Sequence, residues 1–219
     1  MKYYRFNDKI NKEIPIGKII CLARTYQKHA EEMKTVTTKE PLVFLKPSSS
    51  VIFNNQSIII PRLSKCLHHE VELGVVIGKK CKNIYRDKAL KNVLGYCIAL
   101  DITARDIQTE AKKKGWPWSI AKGFDTFAPI SNVVLKKKVN DPNDLDIILK
   151  VNNKIRQKSN TKYMAYSVER IIEFISNIMT LEPGDLIMTG TPEGVDEIKN
   201  GDVLKANLED LCSLKVNVK

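Results

Sequence analysis

Residues 69–77, with the sequence HEVELGVVI, carry the strongest pattern in this chain. Apolar side chains recur at every second position from Val71 to Ile77, and this alternation predicts a β-strand whose successive side chains point to opposite faces. Glu70 and Glu72 therefore leave the same face, ~7 Å apart along the strand. Two carboxylates on one face repel each other unless a cation lies between them, and Mg²⁺ or Mn²⁺ is suited because both prefer oxygen ligands. The alternative at this point is an exposed face with two solvated glutamates.

A second acidic element follows an apolar run. Residues 93–101, VLGYCIALD, end on Asp101, and a helical pattern begins at Thr103. A carboxylate at the end of a buried strand is well placed to be a third metal ligand, whereas the alternative is a helix N-cap supplied by Asp101 or Thr103. Further along, Lys122 lies among apolar and small residues, where a partly desolvated ammonium group needs an anion.

Together these residues resemble the fumarylacetoacetate hydrolase superfamily, and within it the short acylpyruvase / oxaloacetate decarboxylase type. The resemblance runs from about residue 18 to the C-terminus, and the order and spacing of its motifs make it specific. The matching motifs are LARTY at 22–26 with His29 and Glu32, PLVFLKP at 41–47, HHEVELG at 68–74, DITARD at 101–106, KKKGWPW at 112–118, KGFD at 122–125 and TGTPEGV at 189–195.

The resemblance implies a role for each candidate residue. Glu70, Glu72 and Asp101 would hold Mg²⁺ (or Mn²⁺), which stabilises an enolate as a Lewis acid. Lys122 would lie beside the developing enolate oxygen as a catalytic cation. The residues implied to contact the substrate are Arg24, Arg105, Gln108 and Thr191.

His29 and Glu32 are predicted as the remaining catalytic pair. Their spacing of three residues lets a carboxylate orient an imidazole on a helix, and histidine can take a proton from water near neutral pH. Without the resemblance, a surface histidine in a weak helical pair is the commoner case. His68 is interpreted as a residue that supports the metal site or the fold. Residues 29–40 are predicted to form a lid that orders over bound substrate.

These assignments predict a Mg²⁺-dependent hydrolase that cleaves the C–C bond of acylpyruvates to give pyruvate and a carboxylate. The same site would also decarboxylate oxaloacetate, since the metal and Lys122 suffice to stabilise the pyruvate enolate. The alternatives are a dedicated oxaloacetate decarboxylase, an isomerase or decarboxylase of unsaturated 2-oxo dioic acids and, outside enzymes, a basic nucleic-acid-associated protein. His29 with Glu32 favours the acylpyruvase type. The expected partners are a small anionic 2-oxo acid and, from the resemblance, a second copy in a homodimer.

The charge of the chain is strongly basic, with 36 Lys and Arg against 25 Asp and Glu in 219 residues and a formal net charge of +11. A basic surface attracts phosphates. The lysine runs at 112–114 and 136–138 are nevertheless not interleaved with a stacking-aromatic motif, and we interpret them as solvated faces. We therefore expect neither nucleic acid nor a membrane as a partner, and the chain has no run of 18 apolar residues of the kind that predicts a transmembrane helix.

The chain has no linker-like or repetitive segment, so we predict one catalytic domain over residues 18–219 after a lead segment at 1–17. The N-terminus has no clear targeting signal, and the expected compartment is the cytoplasm or the mitochondrial matrix. Five cysteines without C-x-x-C spacing predict free thiols in a reducing compartment, buried at Cys21, Cys97 and Cys212.

Periodicity alone indicates a mostly β chain with a few helices. The resemblance implies the more specific fold, an α+β, mixed β-sandwich roll of the fumarylacetoacetate hydrolase C-terminal domain type with a few flanking helices. The clearest helix is predicted over 168–179, and residues 152–154 are predicted as a hairpin turn. The predicted strands are 18–22, 42–45, 57–60, 67–77, 94–100, 145–151, 186–189 and 213–218.

Overall fold

The computed structural model describes residues 1–8, 10, 13–32 and 36–219, and most of its regular structure is β-strand. The strands are β1 (Ile19–Ala23), β2 (Leu42–Lys46), β3 (Val51–Ile52), β4 (Ser57–Ile58), β5 (Leu67–His68), β6 (Val71–Ile77), β7 (Val93–Leu100), β8 (Thr103–Ala104), β9 (Ala128–Pro129), β10 (Val134–Leu135), β11 (Asp146–Val151), β12 (Lys154–Asn160), β13 (Leu186–Met188), β14 (Glu197–Ile198), β15 (Val203–Leu208) and β16 (Cys212–Val218). The α-helices are α1 (Gln27–Glu32), α2 (Arg86–Ala89), α3 (Arg105–Lys114), α4 (Ser119–Lys122) and α5 (Val168–Ile178), and single-turn 3₁₀ helices cover Ser48–Ser50, Leu90–Asn92, Lys136–Lys138 and Thr161–Tyr163.

The first large sheet has six strands in the order β10-β7-β6-β13-β1-β2. It is mixed, because β1 pairs in parallel with β13 whereas β6 pairs antiparallel with both β13 and β7. Every residue of β6 is buried, which explains why Val75, Val76 and Ile77 form a continuous apolar run. Gly74 is required in this strand, since a Cβ there would lie 2.5 Å from the Cys97 sulfur on β7.

The second large sheet has five strands in the order β12-β11-β15-β16-β4. Buried and exposed residues alternate along β16 and along most of β15, as expected for strands with one face in solvent. Strand β11 lies against β6, and β15 and β16 lie against β7. The two sheets therefore form a mixed β-sandwich, and the larger apolar core lies between them and extends under α5. This arrangement is the predicted mostly β, α+β class with few flanking helices.

The N-terminal segment packs on the other face of the six-stranded sheet. Tyr4, Ile14 and Ile16 belong to a second apolar cluster that includes Ile19 and Cys97. The Tyr4 hydroxyl donates to the carbonyl oxygen of Gly184 at 3.0 Å. Tyr4, Ile14 and Ile16 of the predicted lead segment are therefore buried against the sheet.

Most predicted elements are present within one or two residues of their predicted bounds. The predicted hairpin turn joins β11 to β12, and Asn152 and Asn153 have φ angles of 50° and 65°. Successive positive φ angles match the twist of a two-residue hairpin, and asparagine adopts them readily. Helix α5 begins after Ser167, whose side chain accepts the Arg170 N–H.

Two predictions of local structure were wrong. The predicted strand 67–77 is two strands, β5 and β6, that belong to different sheets. The break falls at residues 69–70, where the chain hydrogen-bonds outside both strands: the His69 N–H donates to Asp196 O, and Glu70 O accepts from Asp101. The helix predicted from Thr103 begins at Arg105, because residues 103–104 pair with β5 as β8. Strand β15 and the two-residue strands β3, β8, β9, β10 and β14 were not predicted.

The five cysteines are free, and Cys21, Cys97 and Cys212 are buried as predicted. In the part of the chain that the structure describes, no helix is long and apolar enough to cross a membrane.

Candidate metal centre and active site

The acidic cluster forms where β6 begins and β7 ends. Because these strands are antiparallel, with Val71 opposite Leu100, the residue before β6 (Glu70) and the residue after β7 (Asp101) are neighbours. The Asp101 N–H donates to the Glu70 carbonyl oxygen at 2.8 Å. Glu72 on β6 joins them, and one carboxylate oxygen of each residue lies within 4.8 Å of the others. The three predicted metal ligands therefore converge.

Three cationic side chains neutralise this cluster. Lys122 donates to Glu70 Oε2 at 3.0 Å and also to Asp101 Oδ2. Arg105 donates to Glu70 Oε1, and Lys46 donates to Asp101 Oδ1 at 2.5 Å. Both lysines and all three carboxylates are buried. Since a buried charge is stable only when it is paired, the acidic cluster explains why these cations are inside the protein.

The paired groups are held in their charged forms. Burial by itself would raise the pKa of Glu70, but Lys122 and Arg105 outweigh it and hold that pKa well below its usual range. Burial by itself would lower the pKa of Lys122, yet the charges of Asp101 and Glu70 raise it. Lys122 is thus a fixed ammonium group, suited to stabilising negative charge rather than to accepting a proton.

Glu72 is the carboxylate that these cations leave unpaired. Its Oε2 accepts the Gly190 N–H at 2.7 Å, whereas its Oε1 has no hydrogen-bond partner among the residues that the structure describes. Burial, together with the charges of Asp101 and Glu70, raises the pKa of Glu72 well above its usual range. A buried oxygen with no donor calls for a ligand, and an all-oxygen donor set suits Mg²⁺ or Mn²⁺. The residues present therefore fit a divalent cation.

A pocket of about 490 Å³, counting the part open to solvent, lies beside this cluster. Its walls are basic and aromatic, and Phe44 packs on Trp118 with ring centroids 5.7 Å apart. A pocket with several cationic side chains favours a small anionic ligand. The predicted residues that line it are Arg24, His29, Glu70, Arg105, Gln108, Lys122 and Thr191, and the structure adds Leu22, Ala23, Phe44, Lys112 and Trp118.

The predicted His29–Glu32 pair lies on α1 at the pocket wall. His29 is buried, and its Nδ1 lies 3.2 Å from Glu32 Oε2. Glu32 also accepts the Gly194 N–H at 3.1 Å, which ties α1 to the loop that follows β13. An ionised carboxylate can only accept, so Nδ1 carries the proton and Nε2 is left as a base. His29 lines the pocket in this structure. The lid predicted at 29–40 stays a prediction, because it includes residues 33–35, which lie outside the described residues.

Arg105 and Gln108 share a face of α3, as their spacing predicts. Arg105 donates to Gln108 Oε1 at 2.6 Å and, through Nε, to His68 Nδ1 at 3.3 Å. Burial, followed by the charge of Arg105, lowers the pKa of His68 to about 4. A neutral His68 in contact with Arg105 agrees with its interpretation as a supporting residue.

Two buried residues were missed because the matching motifs suggested no role for them. Lys46, in the motif at 41–47, also donates to the Ile102 carbonyl oxygen at 3.0 Å, so it fixes the turn after Asp101. Thr103 accepts from Lys122 at 2.7 Å. A lysine at the end of an apolar run was the available signal for Lys46, since such a residue needs a buried anion. The ion pairs of Lys122 in the described structure are with the carboxylates of Glu70 and Asp101, and not with Asp125 of its own motif.

The fold and this site define an α+β protein of mostly β structure, with a buried acidic cluster at the base of an anion-favouring pocket. Residues 18–219 match the model of the fumarylacetoacetate (FAA) hydrolase C-terminal domain, and the chain belongs to this family. The relatives of known activity named below are a tautomerase and a hydrolase, so members of the family are enzymes.

Two relatives illustrate the similarity in sequence. The chain is 44% identical over 200 residues to the oxaloacetate tautomerase FAHD1, mitochondrial, of Homo sapiens, covering 91% of this chain and 90% of the relative. It is 52% identical over 206 residues to an uncharacterized protein of Pyrococcus abyssi, covering 94% and 92% of the two chains.

A solved structure illustrates the similarity in fold. The fumarylpyruvate hydrolase from Pseudomonas aeruginosa, in complex with Mn²⁺ and pyruvate, superposes with a TM-score of 0.95 at 32% identity, covering 99% of this chain and 95% of that one.

Proposed function

We propose that this protein is a divalent-metal-dependent enzyme that acts on small 2-oxo acids through their enolates. Its main reaction would be the keto–enol interconversion of oxaloacetate. The observation that carries the proposal is the meeting of Glu70, Glu72 and Asp101 with the fixed Lys122 ammonium beside the pocket that His29 lines. The similarity to oxaloacetate tautomerase over about nine-tenths of both chains supports this choice of reaction. The sequence predicts hydrolysis, decarboxylation, or isomerisation of unsaturated 2-oxo dioic acids, and the keto–enol interconversion of oxaloacetate is not among these predictions.

The acidic cluster would hold Mg²⁺ (or Mn²⁺) through carboxylate oxygens. A cation there would polarise the carbonyl and carboxylate oxygens of a 2-oxo acid. The charges support a doubly anionic substrate. The three positive charges of Lys46, Lys122 and Arg105 equal in number the three carboxylates of the cluster, so the two charges of an added divalent cation remain to be balanced. The Arg24 and Lys112 side chains at the pocket favour the same sign of ligand.

The chain's own residues then supply proton transfer and electrostatic stabilisation. Keto–enol interconversion moves one proton between C3 and the C2 oxygen. The free Nε2 of His29 would take or return the proton at C3, with Glu32 holding the imidazole in the required tautomer, and the C2 oxygen would exchange its proton with water. Lys122 would stabilise negative charge on the C2 oxygen, and Arg24, Arg105 and Gln108 would bind the carboxylates.

Hydrolysis of acylpyruvates is the second candidate, and the His29–Glu32 pair favours it. If His29 delivers water to the C4 carbonyl, C3–C4 cleavage yields pyruvate and a carboxylate through the same enolate. The likeness to a fumarylpyruvate hydrolase supports this candidate. Decarboxylation of oxaloacetate needs no base and would accompany either reaction. Nucleic-acid binding would not require a buried acidic cluster beside a pocket.

One assay tests the proposal. Purified protein is stripped with EDTA, and the decay of enol-oxaloacetate is followed by its ultraviolet absorbance, alongside acetylpyruvate cleavage and oxaloacetate decarboxylation. We expect the metal-free protein to lack activity and Mg²⁺ or Mn²⁺ to restore it, with enol decay the fastest of the three reactions. Full activity after chelation would contradict the proposal, and fastest cleavage of acetylpyruvate would favour the second candidate.

Three further properties belong to the same proposal. The enzyme would act as a homodimer, residues 18–219 would form the catalytic domain, and the cytoplasm or mitochondrial matrix would be its compartment.

A further inference from the structure

Gln157 is a buried amide on β12 that connects the second sheet to the candidate site. Its Oε1 accepts from the Val71 N–H and lies 3.0 Å from His69 Nδ1, and its Nε2 donates to Thr191 Oγ1 at 2.8 Å and to Pro192 O at 2.9 Å. All its hydrogen-bonding capacity is used at 1% exposure. None of the predicted roles involves this residue.

The orientation of the amide is determined by its neighbours. Turning it over would bring its NH₂ group against the Val71 N–H and its oxygen against the Pro192 carbonyl oxygen, and both pairs repel. Because Oε1 can only accept, His69 must donate from Nδ1. The side chain of Gln157 therefore bridges the start of β6 and the turn at 189–194 in one arrangement.

This bridge determines what Thr191 can offer a ligand. Its hydroxyl donates its single proton to the Val71 carbonyl oxygen at 2.8 Å and accepts from Gln157. The hydroxyl proton is thus unavailable to a substrate oxygen. The main-chain N–H of Thr191 has no hydrogen-bond acceptor among the described residues, although Thr191 is 4% exposed and lines the pocket.

We propose that Gln157 is a positioning residue that holds Thr191 so that its main-chain N–H, and not its hydroxyl, receives a carboxylate oxygen of the substrate. The inference rests on the proposed function for the identity of the ligand as a 2-oxo acid carboxylate. Gly190, next to Thr191, binds Glu72 through its own N–H. This Glu72 hydrogen bond does not involve Gln157, which in the described structure hydrogen-bonds to the metal-ligand strand β6 only through the Val71 N–H, so we place the main effect of losing Gln157 on substrate binding.

The test compares Gln157→Met, Thr191→Val and the double variant, all with Mg²⁺ bound. We expect KM for oxaloacetate to rise ~10-fold in each single variant, the usual effect of one charge-assisted hydrogen bond. We expect kcat to stay within about twofold and the Mg²⁺ affinity, measured by calorimetry, to be unchanged. The double variant should be no worse than either single one, because both changes break the same connection. Thr191→Ser, which keeps the hydroxyl, should restore the wild-type KM.

Asn160→Ala is the matched control. Asn160 is a polar residue of the same strand, and its side chain donates a hydrogen bond to Asp146 away from the pocket. It should lower Tm without changing KM. A wild-type KM in Gln157→Met, multiplied effects in the double variant, or an equal fall in Mg²⁺ affinity would each overturn the inference.

A measurement on the unmodified protein keeps the inference testable if Gln157→Met does not fold. Pyruvate added to the Mg²⁺-loaded protein should move the Thr191 amide proton resonance downfield, and should not do so after EDTA treatment. If pyruvate binds without shifting the Thr191 amide proton resonance, this inference is overturned but the proposed function is not. Failure of the wild-type protein to bind pyruvate or turn over oxaloacetate would refute the proposed function and the inference with it.

Discussion

Lys122 shows how one residue can have both a structural and a catalytic role. It is 2% exposed, and its ammonium group donates to Glu70, Asp101 and Thr103, which uses all its protons. It therefore neutralises part of the acidic cluster, together with Lys46 and Arg105. A bound cation would compete with it for the same carboxylate oxygens and free the ammonium group to meet a substrate oxygen.

We expect Lys122→Met to lower kcat and kcat/KM together by ~10²–10³-fold, because the deleted cation stabilises charge that is complete only in the transition state. We also expect the metal-free variant to melt at a lower temperature, since two buried carboxylates lose a partner. Saturating Mg²⁺ should recover much of that loss. Steady-state kinetics and thermal melts with and without Mg²⁺ measure these effects.

Lys18→Met is the control for this prediction, because Lys18 pairs with Asp185 and does not line the pocket. It should reduce Tm and leave kcat unchanged. A near-normal kcat in Lys122→Met would rule out its catalytic role and leave only the structural one.

At the scale of elements, α1 is positioned by a contact that local sequence does not reveal. The helix has six residues, too few to be stable alone. Its Glu32 accepts the Gly194 N–H from the loop after β13 and also contacts His29. The spacing of His29 and Glu32 was recognisable in the sequence, whereas the partner that anchors the pair was not.

We expect His29→Ala to slow enol-oxaloacetate interconversion and acylpyruvate hydrolysis by ~10²–10⁴-fold, the usual contribution of a general acid or base. Oxaloacetate decarboxylation should fall much less, because it requires no base. Glu32→Gln is the matched variant: it can still accept the Gly194 N–H but orients the imidazole less well, so its loss should be smaller. Equal losses in all three reactions would show that His29 serves binding instead.

At the scale of the whole molecule, the edge of the six-stranded sheet suggests where two copies meet. In the described structure β2 forms that edge. Leu42 and Leu45 on it are 37% and 48% exposed, and Ile120 on the adjoining α4 is 64% exposed. An exposed apolar edge strand promotes aggregation unless something covers it. A second copy of the chain is the occupant that we propose.

We expect the protein to sediment with about twice the 24.9 kDa mass of one chain. Leu45→Lys should shift it toward the monomer, because a charge at an apolar interface core is costly. Ile178→Lys, an equally drastic change at an exposed position of α5, should leave the mass unchanged. A wild-type monomer, or a dimer unaffected by Leu45→Lys, would contradict this interface.

The sequence by itself determined the elements whose signals are local. The alternation that predicts β6, the apolar run of β7, the asparagine turn before β12 and the apolar face of α5 depend on neighbours a few residues away. The three metal-ligand candidates were also accessible, because Glu70 and Glu72 are close in sequence and Asp101 ends a strand.

Only the tertiary structure decided which groups surround those carboxylates. Lys46 donates to Asp101, 55 residues away in the sequence, and Gln157 donates to Thr191, 34 residues away. Such contacts leave no periodic trace, because they depend on how two sheets pack and where strands end. The break between β5 and β6 has the same origin: β5 pairs with β14 and β8, whereas β6 pairs with β13 and β7, and this pairing overrides the uninterrupted strand pattern of residues 67–77.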